Sequence, residues 1–384
     1  MEYKKLGDIA TYINGYAFKP EDRGSVGLPI IRIQDLTGNG YDLGFYDGEY
    51  PEKIEINDGD ILISWSASLG VYVWNRGKAL LNQHIFKVVF DKEDIDKRFF
   101  VYAVRHRLGE MANMTHGATM KHIIKKDFDA TLIPCPLIEK QKIVSSNLDR
   151  VSNIIDLRRK QLDYLDTVIK ARFVEMFGTP FDDEKWVVKE LQDLSDSMLD
   201  GSNVNPDYYK PEGEVLFFRI QNVWRNEFKL DDLVYISREI NEEQYYDTSL
   251  RKGDLLITKI GRYYTKDSSL GRVSVYRGEN DCANYSNNIM RVRLDDSMNS
   301  EFVNVLLNLD DYQSFIRRTS KGGTDKRALS KSLIGSYPII VPPKAIQDEF
   351  EFFVKQVDKS KVAVQKALDE TQTLFNSLMQ EYFG

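Results

Sequence analysis

Two stretches of the chain carry apolar residues at a 3-4 spacing, while the rest carries them in short runs broken by glycine and asparagine. In residues 136–178 the spaced positions are Leu148, Val151, Ile155, Leu162, Leu165, Ile169 and Met176. In residues 342–384 they are Val354, Val357, Val364, Leu368, Phe375, Leu378 and Tyr382. Recurrence every three and four residues marks one face of a helix, and sustained over many turns it packs best against a second seam of the same kind. Each stretch opens beside a proline (Pro136, Pro342), whose missing N–H costs nothing at a helix start. Each closes on Phe-Gly (177–178, 383–384), with glycine where helices commonly stop. About 40 residues at ~1.5 Å each predict a rod of ~60 Å, too long for an ordinary core helix.

The two rods are copies. At an offset of 206 and without a gap they match at Pro136/Pro342, Gln141/Gln347, Val151/Val357, Lys160/Lys366, Leu162-Asp163/Leu368-Asp369, Thr167/Thr373 and Glu175/Glu381. An internal repeat fixes architecture before any single motif does. Arg158 and Arg172 interrupt the first seam where Val364 and Leu378 fill the second; Lys361 and Thr371 interrupt the second where Ile155 and Leu165 fill the first. Polar residues inside a seam set register and partner at some cost in stability.

Ahead of each rod lies a stretch with strand and turn signals in one order. Residues 1–132 hold apolar runs at 29–36, 59–67, 70–74 and 84–90 and a turn at 37–40, then a helical pattern over 96–111. Residues 179–338 hold runs at 215–223, 253–261, 271–276 and 288–294, then a helical pattern over 300–318. Ile31-Arg32-Ile33-Gln34-Asp35 answers Phe218-Arg219-Ile220-Gln221-Asn222. Gly59-Asp60-Ile61-Leu62-Ile63-Ser64 answers Gly253-Asp254-Leu255-Leu256-Ile257-Thr258. Gly117-x-Thr119-x-Lys121 answers Gly322-x-Thr324-x-Lys326. The offset grows from 187 to 206 through these anchors, so the second half carries loop insertions. The expected fold is α+β: globule, rod, globule, rod, with the rods packed as an antiparallel coiled coil in a pseudo-twofold arrangement. Boundaries fall at 1–135, 136–178, 179–341 and 342–384.

Composition narrows the function. At 384 residues, 42% hydrophobic and 29% charged, the chain is long enough for two or three cores. No run approaches the ~20 apolar residues of a membrane span, and the first residues do not read as a signal peptide. Two cysteines, Cys135 and Cys282, at unrelated positions of the two halves point to a reducing compartment, the cytoplasm, with no disulfide. A net charge of −7 argues against indiscriminate nucleic-acid binding but leaves room for a local basic surface.

Such surfaces are present. Segment 116–126 holds Lys121, Lys125 and Lys126 with no acid; segment 315–331 holds six basic residues, among them Lys321, Lys326 and Arg327, against Asp325 alone. Both flank the repeated glycine loop, where backbone N–H groups can approach a phosphate, although either stretch alone would also suit a solvated loop. Asn82-Gln83-His84 and Asn287-Asn288 lead into a strand at corresponding places. Asn and Gln can pair with adenine, and they equally serve as turn residues. Arg32 and Gln34, like Arg219 and Gln221, alternate with apolar positions, which on a strand would put them on one face. Being identical in both halves, they suit a shared structural or backbone contact. Trp65, Ser66, Lys259, Arg262 and Tyr263 diverge between halves and suit specificity.

Catalytic signals are thin. Val341-Pro342-Pro343-Lys344 lacks both ends of the amino-methyltransferase motif, and no Gly-rich nucleotide loop is present. The histidines at 84, 106, 116 and 122 and the two cysteines show no zinc spacing. Asp207, Glu227 and Lys229 superficially match a metal-dependent nuclease, one alternative; a coiled-coil scaffold that binds only protein is the other.

Two unlike globules, each followed by a matched rod with the Pro136…Gln141 or Pro342…Gln347 spacing, the GDILIS and GDLLIT runs and the G-x-T-x-K loops, resemble the specificity subunit of type I restriction–modification enzymes over the whole length. The resemblance implies two target recognition domains, each reading one half of a bipartite site in double-stranded DNA. It implies rods that act as spacers and dock two modification methyltransferase subunits, with restriction subunits completing the complex. No cofactor is then expected in this chain; S-adenosylmethionine and ATP with Mg would belong to the partners.

Overall fold

The run Ile61–Ser64 is buried at every position, and its alternating side chains feed two different cores. Ile61 and Ile63 join Val71, Phe86 and Phe100, while Leu62 joins Trp74, Leu80 and Ile85. Successive strand residues face opposite ways, so a strand buried at each position belongs in the middle of its unit. Leu255–Thr258 does the same: Leu255 and Ile257 face one core, Leu256 another. Each run follows a glycine with φ +89° (Gly59) or +95° (Gly253), a conformation that a β-carbon disfavours. In each turn an aspartate accepts a backbone N–H, Asp60 from Asn57 at 2.8 Å and Asp254 from Arg251 at 2.7 Å.

The computed structural model describes residues 2–38, 40, 42–114, 123–181, 185–263, 265, 268–323 and 325–384. The chain divides into two compact units, Met1–Arg159 with Lys366–Gly384, and Lys160–Gln365, so that the division passes through both long helices. The first unit holds an antiparallel sheet in the order Thr11–Asn14, Ile85–Val89, Ile61–Ser64, Gly70–Val73. The second holds Ser195–Asp200, Ile289–Leu294, Leu255–Thr258, Val273–Val275 in the same order. A smaller sheet repeats too. Leu28–Ile31 runs parallel to Ala79–Leu81 and antiparallel to Phe45–Tyr46, as Val215–Phe218 does to Ala283–Tyr285 and Val234–Ile236.

The expected run over 29–36 is shorter as a strand. It ends at Ile31, and Ile33–Leu36 form a single helical turn because the Asp35 carboxylate accepts the backbone N–H of Arg32 at 2.9 Å. In the second unit Asn222 accepts that of Arg219 at 2.9 Å, and the strand ends at Phe218. Arg32, Gln34, Arg219 and Gln221 therefore do not line a strand face. The helix expected over 300–318 is two helices, Ser300–Asn308 and Asp310–Thr319, separated by Leu309 in extended conformation.

The long helices run Ile138–Phe177 and Lys344–Phe383, 40 residues each. Within the first unit Val144 and Leu148, from the start of the first helix, share a core with Met379 and Phe383, from the end of the second. Within the second unit Ile169 and Phe173 meet Phe350, Val354 and Val357. The pairing is antiparallel in each. Leu148, Ile155, Ile169, Val354 and Val357 are buried; Val151, Leu162, Leu165, Val364, Leu368, Phe375 and Leu378 are half-buried. The seam's polar interruptions find partners. Arg158 donates to the Ala367 carbonyl and the Thr371 hydroxyl, Lys361 pairs with Asp166 at 2.5 Å, and Arg172 reaches Glu349 at 3.5 Å.

The repeated Pro…Gln spacing has a plain structural cause. Gln141 and Gln347 are buried, and each bridges the start of its rod to the cap of a neighbouring helix. Gln141 accepts the Asp96 N–H at 2.9 Å and donates to the Pro136 carbonyl at 2.7 Å. Gln347 accepts the Asn299 N–H at 2.9 Å and donates to the Pro342 carbonyl at 2.8 Å. Asp96 and Asn299 then cap their helices, accepting from Phe99 at 2.9 Å and from Glu301 at 3.0 Å. In each unit the Phe-Gly end of the other rod, the one that does not start there, lands on this capped helix: Phe383 lies 5.2 Å from Phe99, and Phe177 lies 4.8 Å from Phe302.

Candidate nucleic-acid interface

In both units the residue after the central strand reaches across the sheet to the last residue of the edge strand. The Trp65 indole N–H donates to Asn14 Oδ1 at 3.3 Å; Lys259 Nζ donates to Asp200 Oδ1 at 2.7 Å. Backbone bonds confirm that these positions correspond. Trp65 N–H meets the His84 carbonyl at 3.2 Å and Lys259 N–H meets that of Asn288 at 2.9 Å. The N–H groups of Gln83 and Asn287 meet the carbonyls of Tyr16 and Ser202 at 2.9 and 3.1 Å. Gln83 thus matches Asn287 and His84 matches Asn288, while Asn82 matches Ser286, each bridged in parallel to Tyr16 or Ser202. His84 sits at φ +70° and packs edge-on against Trp65, which stacks on Phe86 at 5.5 Å.

The basic stretches return to the sheet at this same place. Ile123 N–H bonds the Trp65 carbonyl at 3.1 Å, and Leu329 N–H bonds that of Lys259 at 2.8 Å. Lys121 and the rest of the first glycine loop lie outside the described residues. In the second unit the expected phosphate-gripping loop is instead part of a small sheet of Ile260–Arg262, Lys326–Ala328 and Lys321–Gly322. Arg262 and Lys326 stand directly opposite each other, both exposed, and Lys321 is exposed beside them. Like charges at facing positions destabilise an antiparallel pair, and Asp325 at 3.8 Å from Arg262 is a weak offset. An anion over this face would relieve the repulsion. Arg327 lies 3.9 Å above the Tyr263 ring and donates to the Ser320 carbonyl at 3.3 Å.

Gln221 and Arg262 come together with Trp224, Ser268, Ser269 and Arg272 around one open cleft. Trp224 carries Lys229 Nζ at 3.3 Å and Arg272 at 3.8 Å over its ring. Other predicted residues serve the scaffold. Arg32 holds Asp35 at 3.1 Å and the Asp42 carbonyl, with Gln34 against its guanidinium; Arg219 holds Asp232 at 2.9 Å. Lys125 pairs with Asp129 at 2.6 Å and lies 5.7 Å from the Tyr12 ring.

Asn14, Asp200, Trp224 and Arg272 were missed by the sequence reading. A signal for the first two exists in Asn14-Gly15 and Asp200-Gly201. A β-carbon on either glycine would stand 2.0 Å from the Asn82 carbonyl oxygen or 2.3 Å from that of Ser286. The nuclease alternative finds no support: Lys229 is laid over Trp224, and among the described residues no three His, Cys, Asp or Glu side chains gather to hold a metal. Among them, too, no helix is long and apolar enough to cross a membrane.

Comparison with known proteins agrees with this architecture. Residues 1–166 and 183–371 match the family described as type I restriction modification DNA specificity domain. The chain is 24% identical over 405 residues to the EcoBI specificity subunit of Escherichia coli, covering 98% of this chain and 83% of that one. A specificity subunit of Methanocaldococcus jannaschii, MjaVIII, is 25% identical over 126 residues, 33% of this chain and 30% of its own. The solved S subunit of a type I restriction–modification system from M. genitalium shares the fold with a TM-score of 0.51 at 14% identity, covering 100% of this chain and 96% of its own. A chain from a structure on complex assembly and conformational transition of a type I system gives 0.57 at 16% identity, covering 99% and 97%. With matched sheets, matched long helices and a family match across both halves, the chain belongs to the type I restriction–modification specificity subunits.

Proposed function

We propose that this chain is the non-catalytic reader of a two-part site in double-stranded DNA, one part for each unit. The observation that carries the reading is the cross-sheet position, where one backbone arrangement presents Trp65 with Asn14 in one unit and Lys259 with Asp200 in the other. A shared scaffold with unlike side chains at its reading edge suits two different half-sites. Arg262, Lys321, Lys326 and Arg327 supply phosphate contacts, which carry affinity without base information.

The long helices serve as spacer and as dock. Ile143, Ile154, Leu157, Tyr164 and Val168 fall on one stripe of the first helix and remain exposed. An apolar stripe of that kind marks a protein contact, here with two modification methyltransferase subunits. S-adenosylmethionine would be held by those subunits, ATP with Mg by restriction subunits, and the assembly would work in the cytoplasm. Methylation mapping of DNA from cells carrying the system tests the reading. Two short defined sequences around an undefined gap are expected; a single continuous motif would overturn it. Exchanging residues 179–338 for those of a relative should change one half-site only.

A further inference from the structure

We propose that Asn14 and Asp200 are specificity-determining residues that read opposite hydrogen-bond patterns. Asp200 takes a base bearing an exocyclic amino group, and Asn14 takes a base presenting an acceptor. The assignment rests on the DNA-reading function proposed above. An indole N–H and an ammonium can only donate, so the atoms they meet must accept. Trp65 therefore engages the Asn14 amide oxygen and leaves the amide NH2 as its outward end. Lys259 engages one Asp200 oxygen and leaves the other, an acceptor only. Both side chains are exposed, at corresponding strand positions of the two equivalent sheets.

Their placement is fixed. Gly15 and Gly201, next in sequence, approach the Asn82 and Ser286 carbonyls so closely that no side chain fits, which pins the backbone carrying residues 14 and 200. In the second unit the basic stretch rejoins the sheet at the Lys259 carbonyl, with exposed Lys321 and Lys326 on the strands that lead there. A carboxylate in that setting would be repelled by the phosphates. Lys259 offsets its charge and holds it, which makes Lys259 a positioning residue. In the major groove only cytosine and adenine offer an amino donor, and guanine and thymine offer carbonyl acceptors.

The test uses the full chain in its complex with the modification subunits and reads the methylated motif. Asp200→Asn should lower the preference for an amino-bearing base at one position of one half-site by roughly ten-fold, and leave the other half-site unchanged. Asn14→Asp should act on the other half-site alone, introducing preference for an amino-bearing base. Lys259→Met should blur the same position as Asp200→Asn, and Lys259→Arg should restore it. If a variant stops methylating, selection from randomised duplexes reads the motif from binding instead. An unchanged motif in Asp200→Asn and Asn14→Asp, or a change in both half-sites from either, overturns the assignment. A wild-type complex that binds duplex DNA in a salt-dependent way while both variants keep the motif leaves the recognition reading standing. A wild-type complex that does not bind duplex DNA removes both.

Discussion

The two units show how one fold can be kept while the side chains at the ends of its strands change. Sheet order, strand direction, the aspartate turn, the buried glutamine and the phenylalanine at the rod end all recur. The recurring residues satisfy backbone polar groups or fill a core. The positions that differ stand at strand ends, where exposed Asn14 and Asp200 meet half-buried Trp65 and Lys259. Buried satisfaction constrains a residue, and exposure frees it to follow the ligand.

The strongest way to break the comparison is to remove one rod end. Phe383→Ala should cost about 3–5 kcal/mol, with lost hydrogen-exchange protection over Lys97–Met114 in the first unit; Phe177→Ala should do the same to Ser300–Asn308 in the second. Equal loss in both units from either change would disprove separate cores. Gln347→Leu should cost about 1–3 kcal/mol, because the Asn299 N–H and Pro342 carbonyl lose their partner. The equivalent change at Gln141 should match it within the first unit, measured by denaturant unfolding.

Arg158→Met should destabilise by about 1–2 kcal/mol, yet Arg158→Met with Thr371→Val should recover most of that, since paired polar interruptions can be replaced together. A double variant no better than the single would show that the two do not act as a pair. Lys326→Ala with Arg327→Ala should leave folding nearly intact and flatten the salt dependence of duplex binding, the logarithmic slope falling by about one for each phosphate the protein no longer neutralises.

The smallest expected effect is acidic. The Asn299 amide, and then Lys344, hold the Asp348 carboxyl below the usual carboxylate range. A depressed pKa in the folded state means stability that is present at neutral pH and fades as pH falls through the folded value. Asn299→Ala should shrink the acid sensitivity of the second unit, seen as a smaller drop in melting temperature between neutral and strongly acidic buffer.

The rods were legible because a 3-4 pattern held for forty residues and then occurred again. Strand ends were not. Asp35 and Asn222 turn the chain off the sheet through a side chain, which alternation of apolar residues cannot register. The proposed reading edge was half legible: Trp65 and Lys259 stood out by divergence, but their partners Asn14 and Asp200 lie 51 and 59 residues away. Only the fold brings them together. The seam positions read from the sequence also passed over Val144, Phe173, Phe350 and Met379, all buried, whose 3-4 spacing continues the pattern toward the rod ends.

The way the chain divides has a consequence for its synthesis. The second unit is one continuous segment, Lys160–Gln365, whereas the first is completed by Lys366–Gly384. While the ribosome is still working, the first globule has emerged but lacks Met379 and Phe383, and the groove beside Phe99 stays bare. Along the chain, the unit that begins first is therefore the one completed last. The residues of the later-made unit are all in place once Gln365 is added, while the core of the earlier one still needs the residues that follow.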